Sequence, residues 1–441
     1  MSAGIVAAAA PPLPAPLRFE DDHRALRQAC ADRRFPPCLK QHEVGDHVRL
    51  SVGGEWAARI EAQRNPRFGQ PFDGSDAVTL QRAFAFADVE AGAHWRLFVQ
   101  LYGTAAQGRR NGVTTVDRSG LEWQNAFLEW RTEGANHGLR LGEQELRFGN
   151  GRLIDAREGL NVRRRFSGAR GWTTVRGWRV DAIDVRPRAE LRDNFDDRRN
   201  PEQSLEGVIA RQLSAGAEWG VYALWRDDAA AIGNEGPHDE RRRTFALHHV
   251  GKSSGWEWNL EAIRQDGRAG SLTIDAHALF AEGDYGRADW PLGLRIGALM
   301  GVASGDRRRG DGRLGTFDPL YARGNLLDED ATLFPRNLRN LQATAEFVPA
   351  PGWFIQASAG TLWRDSLGDG VYRAGGRLLV DGGSSRERRV ASTMSGFAER
   401  RWASGFSLLI RGSVLSPGPF LEDRGLDDTT LWSEVALRYR F

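Results

Sequence analysis

The sequence predicts an all-β fold: a transmembrane, antiparallel, up-and-down β-barrel of about eighteen strands, with long extracellular loops and short periplasmic turns. Three observations carry this expectation. Apolar residues recur at every second position through most of the 441-residue chain. Long and short connections alternate between the resulting segments. The last segment, LWSEVALRYRF, puts Val435, Leu437, Tyr439 and Phe441 on one parity and Glu434, Ala436, Arg438 and Arg440 on the other. A strand with one apolar face, one face charged in both signs and a terminal aromatic suits a barrel wall between lipid and water.

Composition agrees. Hydrophilic on average, the chain nevertheless holds 15 Trp and 21 Phe, as expected when only alternate residues meet lipid. It has no apolar run long enough for a membrane-spanning helix. A formal net charge of +2 argues against a nucleic-acid partner. Lys40 and Lys252 are the only lysines, so nearly all of the basic residues are Arg. That bias reflects either a GC-rich genome or a use for guanidinium forks, which grip carboxylates at two points where Lys cannot.

In chain order, residues 1–18 include the Ala-rich stretch MSAGIVAAAAPPLPAP and are expected to be a signal-peptide remnant or unstructured lead. Residues 19–46 are expected to be a periplasmic N-terminal segment, and 47–441 the barrel. Cys30 and Cys38 are the only cysteines. In an oxidising periplasm they could close one small loop, or remain two free thiols.

The first strand, 48–63, alternates Val48, Leu50, Val52, Trp56, Ala58 and Ile60 with Arg49, Ser51, Glu55, Arg59, Glu61 and Gln63. It is the natural closing partner of the last. Further strands are expected at 77–91, 94–105, 119–131, 137–146, 166–175, 178–186, 205–213, 217–226, 242–251, 255–265, 271–282, 291–303, 339–348, 353–362, 391–402, 405–415 and 430–441. In the clearest two, Trp95, Leu97, Val99 and Leu101 alternate with Arg96, Phe98 and Gln100, and Trp256, Trp258, Leu260 and Ala262 with Glu257, Asn259 and Glu261. Connections after odd-numbered strands are mostly long: 64–76, 106–118, 147–165, 187–204, 227–241, 304–338, 364–389 and 417–429, the exception being 265–270. Those after even-numbered strands are short, as at 92–93, 214–216, 253–254, 349–352 and 403–404. This asymmetry, with an even strand count, puts both termini in the periplasm.

No catalytic motif is present. His248 and His249 are adjacent, so a strand sends them to opposite faces, and G-x-S-x-G, H-E-x-x-H and C-x-x-C are absent. Asp306, Asp311 and Asp318 do not have EF-hand spacing, so no metal is expected. The loops are rich in Gly, Asp and Arg and neither apolar nor repetitive, which disfavours an adhesin. Instead, two long loops are basic: RLGEQELRFGNGRLIDAREGLNVRRRFSGARGW (140–172) and SGDRRRGDGRLGTFDPLYARGNLLDEDATLFPRNLRNL (304–341). Most of those charges can be solvated ion pairs. The functional alternative is a pore lined by Arg forks, held by Asp and Glu, that attracts a polyanion.

At these clusters the sequence resembles the alginate export family of bacterial outer-membrane proteins. The resemblance lies in SVGGEWAARIEAQRNPRFG (51–69), LRLGEQELRFGNGRLIDAREGLNVRRRFSGAR (139–170), ASGDRRRGDGRLGTFDPLYARGN (303–325) with PRNL (335–338), and RYRF (438–441). It implies an eighteen-stranded barrel in the bacterial outer membrane, with an Arg-rich lumen. Such a barrel passively exports an anionic, alginate-like uronic-acid polysaccharide without a cofactor. Its implied partners are that polymer, outer-membrane lipid and periplasmic secretion components. Uptake of small anions such as sugar acids is the alternative. By motif position, Arg59, Arg82, Arg147, Arg152, Arg163, Arg170, Asp306, Arg313, Asp318 and Arg323 are the expected pore residues or their scaffold. Two departures stand out. Phe166-Ser167-Gly168 replaces the family's usual Phe-Asp-Gly, and the late periplasmic turns are too short for the plug loop of the alginate exporter itself.

Overall fold

In the computed structural model, which describes residues 17–23, 39–70, 74–214, 216–233 and 236–441, the alternating segments form one closed antiparallel sheet. Its eighteen strands are β1 (Val48–Arg64), β2 (Asp76–Ala91), β3 (Trp95–Gln107), β4 (Glu122–Arg131), β5 (His137–Gln144) and β6 (Phe166–Val175). They continue as β7 (Trp178–Ala189), β8 (Gln203–Ser214), β9 (Ala217–Gly233), β10 (Gly236–Ser253), β11 (Trp256–Ala269) and β12 (Leu272–Gly286). The last six are β13 (Arg295–Ala303), β14 (Leu338–Phe347), β15 (Trp353–Arg364), β16 (Arg389–Arg401), β17 (Phe406–Pro417) and β18 (Thr430–Arg440). Each pairs with the next, and β18 pairs with β1 from Glu55↔Arg440 to Arg64↔Leu431. Closure leaves no open edge, the condition for a sheet to cross a bilayer.

Parity decides which side chains meet lipid. Trp56, Ile60, Trp95, Leu97, Leu128, Leu247, Leu260, Met300 and Leu437 point outward and are exposed, while Glu55, Arg59, Arg96, Gln100, Glu129, Glu261 and Glu434 point inward and are buried. Replacing Leu97 with Arg is therefore expected to destabilise the barrel by about 2–4 kcal/mol if the residue lies near the midplane. Unfolding in lipid vesicles would measure this, and an unaffected midpoint would contradict the lipid-facing assignment.

Two expected connections differ. Residues 227–233 and 236–241 are strand and not loop: β9 and β10 continue as a tall hairpin, with a register shift between Asp228 and Ala231. Asp227-Asp228, the Ala run after them and the charged residues 239–243 break the apolar alternation, so hydrophobicity alone ends the strands too early. β11 likewise runs on to Ala269 and turns tightly into β12.

At the closing seam, Gly54 and Phe441 exchange backbone hydrogen bonds of 3.1 Å. A Cβ on Gly54 would lie 2.7 Å from the Phe441 ring, so this close approach needs glycine. Phe441→Asp should slow assembly, seen as loss of the heat-modifiable band. Normal assembly of that variant would remove the aromatic's proposed role.

Residues Leu17–Phe19 also lie inside the barrel. Phe19 packs edge-on against Phe98 and Phe127, with centroids 5.8 and 5.2 Å apart. Arg96 donates to the Phe19 carbonyl at 2.8 Å, and Arg18 pairs with Glu55 of β1 at 3.0 Å. Cys30 and Cys38 lie outside the described residues.

Candidate functional site

The lumen is divided by two loops that fold inward. L3 (145–165) follows β5 and L7 (304–337) follows β13. L3 crosses the barrel: Arg59 of β1 donates to the Gly159 carbonyl at 2.6 Å, and Arg82 of β2 to the Leu160 carbonyl at 3.0 Å. On the opposite wall, Arg152 pairs with Glu261 of β11 at 3.5 Å and with Glu282 of β12. L7 meets the wall at Gln265, whose side chain bonds the Asp318 backbone N–H and carbonyl at 2.9 and 2.6 Å. It also reaches Gln63, which donates to Asp330 at 2.9 Å, and Gln342, which donates to the Leu327 carbonyl at 2.9 Å.

The loops pair with each other as a short strand ladder. Ile154 and Tyr321 form a parallel bridge. The Tyr321 N–H donates to Leu153 (2.9 Å), Asp155 to Tyr321 (3.0 Å) and Arg323 to Gly151 (2.9 Å). Gly151 has φ +73°, and a Cβ there would lie 2.6 Å from the Asp155 carboxylate. The paired loops separate two cavities. Arg157, Arg164, Tyr321 and Ala322 line an outer cavity of about 590 Å³. Arg147, Glu158, Arg323 and Asn325 line an inner one of about 720 Å³, which Arg18 also borders.

Glu158 links L3 to the wall, receiving Arg82 at 3.0 Å, Arg438 of β18 at 3.2 Å, and Arg163. Burial acts to raise its pKa, but Arg163, Arg82 and Arg438 outweigh it and hold the carboxyl well below the usual carboxylate range. Next to it, Glu55 binds Arg18, Arg82, Arg438 and Arg440.

Most of the ten expected site residues are buried ion-pair partners. Arg59 lies 3.4 Å from Glu434, Arg163 2.5 Å from Glu145, and Arg170 2.8 Å from Asp181. Arg82 and Arg152 are paired as above, and Asp318 holds Arg226 at 3.0 Å together with Arg336. Asp306 accepts the Gly315 N–H at 3.2 Å, while its own N–H donates to Asp369 at 2.9 Å, within the L7 scaffold. Arg147 lines the inner cavity but lies 3.5 Å from Asp155. Arg313 is outside the lumen, exposed beside Asp275 at the extracellular end of β12. Arg323 has no carboxylate within 4 Å among the described residues.

Arg164 is the residue that motif reading passed over. It too has no carboxylate within 4 Å among the described residues; it donates to the Ala322 carbonyl at 3.5 Å and lies 5.2 Å from the Tyr321 ring centroid. Burial, with help from nearby Arg157, lowers its pKa to about 9, and burial lowers that of Arg323. Both remain cationic at neutral pH. The run Arg163-Arg164-Arg165 held the signal. Parity separates Arg164 from its neighbours, which are buried against Glu145 and, for Arg165, against Glu122 and Asp197.

A closed eighteen-stranded barrel with outward apolar and inward charged parity is an outer-membrane channel. Its fold is similar to solved porin structures at low identity. OccAB1 of Acinetobacter baumannii gives a TM-score of 0.61 at 12% identity over 88% of this chain and 96% of that one. OccK2 (OpdF) of Pseudomonas aeruginosa, solved with glucuronate, gives 0.60 at 13% identity over 89% and 96%. OccK5 (OpdH) of the same organism gives 0.57 at 11% over 88% and 98%. No curated protein matches the sequence. The alginate export family model matches residues 48–430, and the chain belongs to that family.

Proposed function

We propose that the protein is a passive outer-membrane channel that exports an anionic, alginate-like uronic-acid polysaccharide through an Arg-lined pore. Two guanidiniums with no carboxylate within 4 Å among the described residues, on opposite sides of the inward ladder, carry the reading: Arg164 toward the outer cavity and Arg323 toward the inner one. The other lumen cations are mostly neutralised, so anion preference falls on these two, with half-buried Arg147 supporting Arg323. A low-dielectric lumen strengthens each unpaired charge. A polyuronate offers a carboxylate on each residue and can pass from one cation to the next. The channel needs no cofactor and no catalysis, and periplasmic secretion components would deliver the polymer.

Uptake of small sugar acids is the second reading, favoured by the short periplasmic turns and by the fold shared with a porin solved with glucuronate. In planar bilayers the wild-type protein should be anion-preferring and blocked by soluble polyuronate, more strongly at low salt. Arg164→Ser with Arg323→Ser should weaken both properties. A cation-selective wild type, or block unchanged in the double variant, would sink the reading. Block by monomeric glucuronate as strong as by the polymer would favour uptake.

A further inference from the structure

The outer wall carries a feature that permeation does not use. Between β10 and β15, the lipid-facing side holds a groove of about 830 Å³, lined by Leu247, Leu260, Ala262, Leu279, Ala281 and Met300. Small Ala262 and Ala281 lie between larger Leu and Met side chains, leaving room for extended hydrocarbon. Arg339 and Arg388 border the same groove at its extracellular end. Arg339 is 54% exposed and uses Nε and Nη2 on Asp365, at 2.8 and 2.7 Å. Arg388 is exposed, donates only to the carbonyls of Arg364 and Asp365, at 3.3 and 2.9 Å, and has no carboxylate within 4 Å among the described residues.

These two cations end an outward-facing basic arc. Cross-strand register puts Arg243 opposite Asp266 and Arg241 opposite Arg268, and Arg264 pairs with Asp275 at 2.5 Å. Asp227 and Asp239 are the further acids at its β9–β10 edge. Arg241, which the ladder sets opposite Asp227, and Arg268 have no carboxylate within 4 Å among the described residues, so neither guanidinium is closed by an ion pair. At the same height on β2 and β3 the outward residues are Ala77, Thr79, Gln81, Ala105 and Gln107, all uncharged. The β2–β3 side thus lacks the charge that the groove side carries at that height.

An apolar groove capped by exposed guanidiniums matches an amphiphile with acyl chains and an anionic head. At the extracellular end of an outer-membrane barrel, that amphiphile is a lipid of the outer leaflet. Phosphate oxygens suit the free edges of guanidinium forks. We propose that this face is a specific site for a phosphorylated outer-leaflet glycolipid, its chains along the groove and a phosphate on Arg339 and Arg388.

The test uses the full chain purified in detergent, with lipid A carrying both phosphates and the same lipid dephosphorylated, and retention read by native mass spectrometry. Wild-type protein should retain the phosphorylated form preferentially. Arg339→Ser with Arg388→Ser should reduce that preference about thirty-fold, the scale expected for two guanidiniums near an anionic surface. Ala281→Trp, which fills the groove without touching a charge, should reduce retention of both lipids. Free inorganic phosphate should not displace the bound lipid. If the double variant does not fold, Arg388→Gln is measured in its place. Equal retention of the two lipids by wild type, an unchanged preference in the Arg variant, or full retention by Ala281→Trp would overturn the proposal.

Discussion

Glu158→Gln should convert a narrow channel into a wider, more strongly anion-selective one. The carboxylate lies among Arg82, Arg163 and Arg438 and fastens the crossing part of L3 to β2 and β18. Neutralising it leaves three guanidiniums facing one another in a poorly hydrated lumen. Removing one partner from a buried ion pair costs about 3–5 kcal/mol; the Glu158 side chain is 35% exposed, so the low end applies here. That loss falls on the loop. The strand ladder, including the β1–β18 seam, does not pass through Glu158. The variant should still assemble, with larger single-channel conductance, higher anion preference and faster proteolysis within L3. Conductance equal to wild type in a folded variant would mean that L3 is held by its backbone contacts alone.

The second large effect should come from the N-terminal segment. Leu17, Phe19, Phe86, Phe98, Phe127 and Ala156 form one buried cluster, which joins that segment to β2, β3, β4 and L3. The guanidinium of Arg140 also lies 4.3 Å from the Phe19 ring centroid. Truncating a buried Phe to Ala costs about 3–5 kcal/mol, and Phe19 is the ring through which the segment meets Phe98, Phe127 and Arg140. In Phe19→Ala, and more fully after deletion of residues 17–23, the segment should leave the lumen and the inner cavity should widen. Bilayer recordings should show increased conductance, and a spin label at Leu17 should become mobile. Because Ala156 belongs to the same cluster, the effect should not add simply to that of Glu158→Gln. A spin label that stays immobile in Phe19→Ala would show that the segment is retained without the Phe19 ring.

The sequence by itself determined the wall. A side-chain period of two assigns each strand residue to lipid or lumen from its neighbours alone, so Leu97 faced outward and Arg59 inward on the page as they do in the barrel. The eighteen strands and the closing partner of the last followed from that local rule. Where the apolar alternation broke, as from Asp227 onward, the strands continued and the rule lost its signal. The lumen was decided by tertiary structure. Arg59 meets Glu434 across 375 positions of chain, and Arg152 meets Glu282 across 130. Ion pairs of that span depend on which walls a crossing loop touches, and residue type does not encode this. Arg82 and Arg163 thus share charge and expected role with Arg323 yet differ in kind: the first two are paired with Glu158 and with Glu55 or Glu145, while Arg323 has no carboxylate within 4 Å among the described residues. Arg164, part of the basic 140–172 stretch but not among the ten expected site residues, acquires its position from the pairing of L3 with L7, because only that ladder fixes which face of the loop looks outward.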